Sequence, residues 1–279
     1  MKYFEPSSID EAIAILAREE NARCVSGGAT LVAMMNADLI APAALVGLRC
    51  VNGLEGISKN GEGLRVGAMT THASIAKSTM FEAGTSVINR AAQQIAHPPI
   101  RNMGTIGGSI SHADPAADFP TALLAANASI EVQGPDGPRQ IPAHEFFIGY
   151  YETAVSDNEI VTAILVPAGP ENADGEHVKV TRVDGDFATV SVSLVLAVEN
   201  DLCSFVRIAV GAVASTPLHL DKADAVLSGS ALSENDIAKA AAMLVEASDP
   251  IDDVRGSADY RRALIPRLLK RAVKQVQTR

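Results

Sequence analysis

The chain has 279 residues, 47% of them hydrophobic, which is enough to bury a sizeable core and more than one core comfortably fills. A formal net charge of −10 argues against a nucleic-acid or anionic-membrane surface, where phosphate neutralisation needs clustered cations, but leaves room for an anionic cofactor held by backbone N–H groups. Cys24, Cys50 and Cys203 lie far apart with no C-x-x-C pair, so no iron–sulfur cluster or structural zinc site is encoded, and reduced thiols of a cytoplasmic protein are expected.

Met1–Arg18 carries Glu11 and Arg18 and lacks the basic-then-apolar order of a secretory leader; no apolar run is long enough to span a bilayer. A cytoplasmic location without membrane insertion is therefore expected, with attachment through partners left open. Ser8-Ile9-Asp10-Glu11 fits a capping box, and Ile9, Ala12, Ile13 and Leu16 then share one helical face. A short strand, 22–26, is broken by Gly27-Gly28; Leu31–Met35 begins a second helix, and Ala44–Leu48 is another buried strand. The first 55 residues thus read as βα units with a glycine turn after a strand.

Next come a strand at 63–68 and helices at 71–77 and 86–96, the last ended by His97-Pro98-Pro99, because proline excludes the α conformation from the residue before it. Ser129–Gln133 leads into the turn Gly134-Pro135-Asp136-Gly137-Pro138, and Glu159–Pro167 reads as an edge or terminating strand. The polar segment Ala168–Glu176 is the best domain boundary. Beyond it, two β-rich runs, 190–198 and 205–213, precede helical patterns from Leu218 onward, with a helix start at Ser233-Glu234-Asn235-Asp236. Strands followed by helices indicate a separate α+β domain.

Two glycine runs carry the chemistry. Ser26-Gly27-Gly28-Ala29-Thr30 lies between a strand and a helix, where missing Cβ atoms let N–H groups approach an anion and the helix N-terminus favours negative charge. Alone, such a turn is usually only a turn. It is not a Rossmann fingerprint, a P-loop or a serine-hydrolase elbow. The second run, Arg101-Asn102-Met103-Gly104-Thr105-Ile106-Gly107-Gly108-Ser109, interleaves glycines with hydroxyl donors and continues through His112, Asp114 and Asp118 to Pro120. Asp114 and Asp118 would repel phosphate in the same shell; they fit acceptors for ribose or ribityl hydroxyls, or caps on a helix running from Pro115. His112 either faces a ligand or packs the loop. His72, His97, His112, His144, His177 and His219 are dispersed without helical pairing to Cys, Asp or Glu, so no metal site is predicted. No catalytic constellation is recognised.

Together the two runs resemble the paired FAD-pyrophosphate motifs of the medium subunits of the xanthine dehydrogenase and carbon monoxide dehydrogenase family, whose patterns are A-G-G-T-D-L and I-R-N-x-G-T-I-G-G-N/S-x-x-x-A-D-P-A-A-D-x-P. The second match is nearly complete; in the first, Ser26 stands for Ala and Ala29-Thr30 for the usual polar pair. Gly67-Ala68-Met69-Thr70-Thr71, Glu159-Ile160 before Val166-Pro167, Lys179-Val180-Thr181-Arg182 with Asp186-Phe187-Ala188, and Asp253 to Arg262 resemble further family segments, with Val183 replacing an arginine, so the likeness covers essentially the whole chain.

The resemblance implies an α+β fold: a two-subdomain FAD-binding domain of the vanillyl-alcohol-oxidase/PCMH type (1–55 and 56–175) followed by an α+β C-terminal domain (176–279). It implies FAD contacts at Val25, Ser26, Gly27, Gly28, Ala29, Thr30, Leu31, Ile95, Thr105, Ile106, Gly107, Gly108, Ser109, Asp114, Asp118, Ile160 and Lys179. Lys179 is either near the flavin pyrimidine or in a salt bridge, and Tyr260-Arg261-Arg262 serves packing or subunit contact. The implied partners are a large molybdopterin-binding subunit and a small [2Fe–2S] subunit, with NAD, a quinone, a cytochrome or oxygen as external acceptor. The chain would be the electron-transferring flavoprotein component of an oxidoreductase. The alternative is a cofactor-free assembly or regulatory module of the same fold, against which the intact glycines 27, 28, 107 and 108 count.

Overall fold

A computed structural model describes the whole chain, residues 1–279. Its N-terminal part runs β1 (Lys2–Phe4), α1 (Ile9–Arg18), β2 (Ala22–Val25), α2 (Leu31–Asn36) and β3 (Ala44–Gly47). The strands form a parallel sheet in the order β1-β3-β2, as βα connections require. Ser8 caps α1 by accepting the Glu11 N–H, while the Glu11 carboxylate reaches back to the Ser7 N–H rather than to that of Ser8. Ala12, Ile13 and Ile15 of α1 are then buried in one cluster with Val46, Leu54 and Ile160.

The middle part contains β4 (Ile57–Asn60), β5 (Gly63–Gly67), α3 (His72–Lys77), α4 (Ser86–Gln94), α5 (Pro98–Met103), α6 (Ile106–His112), α7 (Asp118–Ala125), β6 (Ser129–Gly134), β7 (Gly137–Pro142), α8 (Ala143–Phe146), β8 (Phe147–Gly149), β9 (Glu152–Thr153) and β10 (Ile160–Val166). Five strands make an antiparallel sheet in the order β4-β5-β10-β6-β7. The expectation of an edge strand at 159–167 is thereby corrected, since β10 is central. Its Ile-Val-Thr-Ala-Ile run is buried throughout, and Pro167 falls one residue past the last paired position, so its missing N–H breaks no ladder bond. The helix expected from Pro115 starts instead at Asp118.

The C-terminal part has β11 (Ala173–Val180), β12 (Val190–Glu199), β13 (Leu202–Gly211), β14 (Leu218–His219), α9 (Asp221–Leu227), α10 (Glu234–Ala247) and α11 (Ala258–Gln277), with the strands antiparallel in chain order. The polar segment 168–176 is a connection only in its first half; from Ala173 it pairs with β12, which supplies the ladder its composition does not advertise. Gly175 lets α4 lie against that strand, because a Cβ there would sit 2.4 Å from the Val87 nitrogen.

β12 is buried on both faces. Val192, Leu194 and Leu196 join Ala240, Leu244 and Leu268 from α10 and α11, while Val195 and Ala197 join Val87, Ala91 and Leu123 from α4 and α7. One sheet thus serves two cores, and the C-terminal part is welded to the middle part. No helix is long and apolar enough to cross a membrane.

Leu194 is fully buried, so Leu194→Ala is expected to cost about 2–5 kcal/mol through lost transfer energy plus a cavity. Urea denaturation should show a lower midpoint at unchanged slope.

Candidate functional site: a cradle between two glycine segments

The connection from β2 to α2 and the connection from α5 to α6 meet backbone to backbone. A Cβ on Gly27 would lie 1.8 Å from the Met103 carbonyl oxygen, so only glycine permits the approach. Gly28 takes φ +74°, a left-handed conformation that residues with a Cβ rarely adopt. The Thr105 hydroxyl donates to the Ser26 hydroxyl at 3.1 Å and ties the segments together.

The donors of this junction are unevenly spent. The N–H groups of Gly27, Gly28, Ala29, Thr30 and Leu31 reach no protein acceptor, nor does that of Thr105. A run of main-chain donors opening onto a short helix suits a pyrophosphate, which needs several convergent N–H groups and no cationic side chain. The second segment differs from the expectation. Gly107 and Gly108 lie in the first turn of α6, and every N–H from Ile106 to Ser109 is already taken, by Thr70, Ala68 and Thr105. The glycines serve packing here: a Cβ on Gly107 would come 2.7 Å from the Ala68 carbonyl oxygen, and one on Gly108 would come 2.7 Å from the Ser26 hydroxyl. The first segment therefore offers the donors, and the second supports it.

Behind the junction lies a buried polar chain. Asp118 opens α7, and its carboxylate accepts from Lys179 Nζ at 2.9 Å and faces His177 Nε2 at 2.9 Å; His177 Nδ1 is 2.8 Å from the Ser193 hydroxyl. Lys179 also donates to the Asp186 carbonyl at 3.1 Å. Burial would raise the Asp118 carboxyl, but the hydrogen bond and charge of His177, with Lys179, hold it below the ordinary range. The reading of Asp118 as a helix cap is corrected, since Ala117 is the N-cap; both Asp118 oxygens have partners within the protein.

His72 connects this chain to the cradle. Its main-chain N–H donates to the Gly104 carbonyl at 3.0 Å, its ring lies 5.3 Å from that of Phe119, and its Nδ1 is buried without a partner. Burial pushes the imidazole from 6.5 down to about 4, against the pull of Asp118.

The remaining residues of the expected site are spread around this junction. Val25 ends β2 beside Gly47, and Ser109 stands half-buried in α6. Ile95 ends α4, and Arg101 donates to its carbonyl at 2.8 Å and to that of Ala96 at 2.6 Å. Asp114 folds back to accept the Ala116 N–H at 2.8 Å, with the Tyr151 hydroxyl 3.5 Å away. Ile160 packs in the N-terminal core with Leu54. The ring of His112 lies 5.2 Å from that of Tyr151, tilted by 47°. Sequence reasoning missed His177 and His72. His177 had a usable signal, since residues 177 and 179 fall on one face of a strand; His72 had none, because its partners are distant in the chain.

The chain matches the family described as the FAD binding domain in molybdopterin dehydrogenase over residues 1–169, and the CO dehydrogenase flavoprotein C-terminal domain over 177–276. It is 36% identical to the carbon monoxide dehydrogenase medium chain of Afipia carboxidovorans, covering 99% of this chain and 96% of that one. It is 35% identical to the nicotine 6-hydroxylase medium subunit of Paenarthrobacter nicotinovorans, covering 100% and 98%. Among solved structures, reconstituted CO dehydrogenase from Oligotropha carboxidovorans superposes with a TM-score of 0.97 at 36% identity, covering 100% of this chain and 98% of the other.

Gly27→Ala is expected to force the two segments apart and remove FAD while far-ultraviolet circular dichroism is retained. Gly229→Ala, which strains a backbone at φ +74° but has nothing within 4 Å of the added Cβ, should keep full flavin absorbance per chain. A second expectation concerns pH. His72 has a depressed folded value, so its contribution to stability is present above the unfolded value near 6.5 and is lost as pH falls toward about 4. Thermal melts from pH 7 to 4 should fall less steeply for His72→Gln than for the wild type.

Proposed function

Because this chain belongs to the family of FAD-binding medium subunits of molybdenum hydroxylases, we propose that it relays electrons from [2Fe–2S] clusters on a small partner subunit to an external acceptor. FAD is its cofactor. A large molybdopterin-binding subunit would bind and oxidise the organic substrate. NAD, a quinone, a cytochrome or oxygen would take the electrons away, and the assembly would work in the cytoplasm. The alternative of a cofactor-free module leaves the donors of 27–31 without a purpose.

The observation that carries this reading is the run of unspent N–H groups from Gly27 to Leu31, pinned by the Gly27–Met103 contact. In the proposal these groups, with Ser26 and Thr105, hold the pyrophosphate. Val25, Ile95, Ile106, Gly107, Gly108, Ser109, Asp114 and Ile160 shape the walls and backing. Bound FAD supplies the exchange between one- and two-electron steps. Lys179, fixed by Asp118 and the Asp186 carbonyl, would present a positive charge that cannot swing away, where negative charge develops at the flavin pyrimidine. Asp118 acts through Lys179 as a positioning residue. We assign the work to three parts: 1–55 as first FAD-binding subdomain, 56–175 as second, and 176–279 as the C-terminal domain, with β11 straddling the last boundary. Each part has its own sheet, which supports the division.

The test is reconstitution. The chain loaded with FAD is expected to reduce no dye with any substrate of the complex, and activity should appear only when the partner subunits are added. Substrate turnover by the chain alone would overturn the relay.

A further inference from the structure

A second cavity, of about 260 Å³, lies where α4, the edge strand β11 and the C-terminal end of α11 meet. Its polar lining is unusual in what it leaves unpaired. Arg90 donates through Nη2 to Asp174 Oδ2 at 3.1 Å, yet its Nη1 is buried without an acceptor. Gln275, another residue of the lining, has its Oε1 buried without a donor. Each such group destabilises the fold when nothing answers it. Arg271 stands exposed at the mouth with no carboxylate partner.

The charges at this place do not cancel. Three arginines, 90, 271 and 279, face two carboxylates, Asp174 and Glu176, which leaves one positive charge. Arg279 is tied to both carboxylates, at 2.9 Å for Asp174, and the other Glu176 oxygen accepts the His177 N–H at 2.8 Å. The carboxylates are thus occupied within the protein, while Arg90 Nη1 and Arg271 remain free to donate.

We propose that this cavity binds a small protonated oxyanion: a monoanion whose oxygens accept from Arg90 Nη1 and Arg271 and whose O–H donates to Gln275 Oε1. Dihydrogen phosphate and bicarbonate share that chemistry, and the volume suits an ion of this size rather than a nucleotide. An oxyanion without a proton meets Gln275 Oε1 with lone pairs against lone pairs, so the site discriminates by protonation as well as by charge. Its floor is the strand segment that carries His177, whose ring faces Asp118 and whose carbonyl accepts from Gln94 at 2.6 Å, so an occupant rests against the chain that holds Lys179.

Isothermal titration of the full FAD-loaded chain with sodium phosphate, sodium bicarbonate and sodium sulfate, at matched ionic strength and neutral pH, tests this. One site per chain is expected for phosphate or bicarbonate, with sulfate at least tenfold weaker; the tighter of the first two names the source. Arg271→Gln and Gln275→Leu, both toward the surface of α11, should each weaken binding roughly tenfold or more, the loss expected for one charge-assisted or one buried hydrogen bond, with flavin content unchanged. Three results would overturn the proposal: sulfate binding as tightly as phosphate, both variants keeping wild-type affinity, or no heat from any ion, which would mean the cavity holds water only.

Discussion

Two backbones touch at Gly27, and most of the site follows from that contact. With the Met103 carbonyl where a Cβ would be, the β2–α2 connection packs backbone on backbone against the α5–α6 connection, and its N–H groups from Gly27 to Leu31 find no acceptor in the protein. Those donors are left pointing outward because the segment is fixed by its neighbour rather than by internal hydrogen bonds. A loop free to move would spend them on itself or on water, and an anion would then have to reorganise it at an entropic cost. Here the ordering is part of folding.

The contact is held in place from below. Residues 104–108 bond to residues 68–72, which continue β5 of the central sheet, through Gly107 to Ala68, Ile106 to Thr70 and His72 to Gly104. Gly107 lets α6 press directly onto Ala68. The glycines of the second segment therefore transmit the rigidity of the sheet to the first, and His72, unpaired at Nδ1 and kept neutral by burial, fills the space beneath without adding a charge next to the Asp118–Lys179 pair. A buried ion pair of that kind is weak as a source of stability. Its use lies in orientation: a lysine bonded to a carboxylate and a carbonyl holds one position.

Much of this was legible in the residues. The strand–glycine–helix order of 22–36 and the capping start at Ser233 are local, and local chemistry decides them. The helix expected to run to Ala96 ends at Gln94, and Pro98 opens α5 rather than only closing α4. What was not legible depends on partners distant in the chain. β10 looks like an edge because proline follows it, yet its neighbours β5 and β6 come from 100 and 36 residues earlier, as the pairing of Leu165 with Arg65 and Ser129 shows. Ala173–Glu176 looks like linker until β12 pairs with it. The glycines misled in a subtler way. A glycine that admits a ligand and a glycine that admits a helix are identical in one dimension, and only the neighbouring atoms separate Gly107 from Gly28.

The double-sided sheet of the C-terminal part explains why these elements can act as one body. Ser191 and Ser193 on β12 are the polar exceptions on the face toward α7, and each meets a side chain from the FAD-binding part, Ser193 through His177 to Asp118 and Ser191 facing Thr121 at 3.4 Å. A purely apolar face would pack as well but would leave His177 Nδ1 without a partner in the core. With the serine present, the interface between the parts carries a satisfied polar chain, and Lys179, contributed by the C-terminal sheet, is aligned with the start of α7. The position of the buried charge is thereby set by the packing of two cores against one sheet, and not by any loop that solvent can loosen.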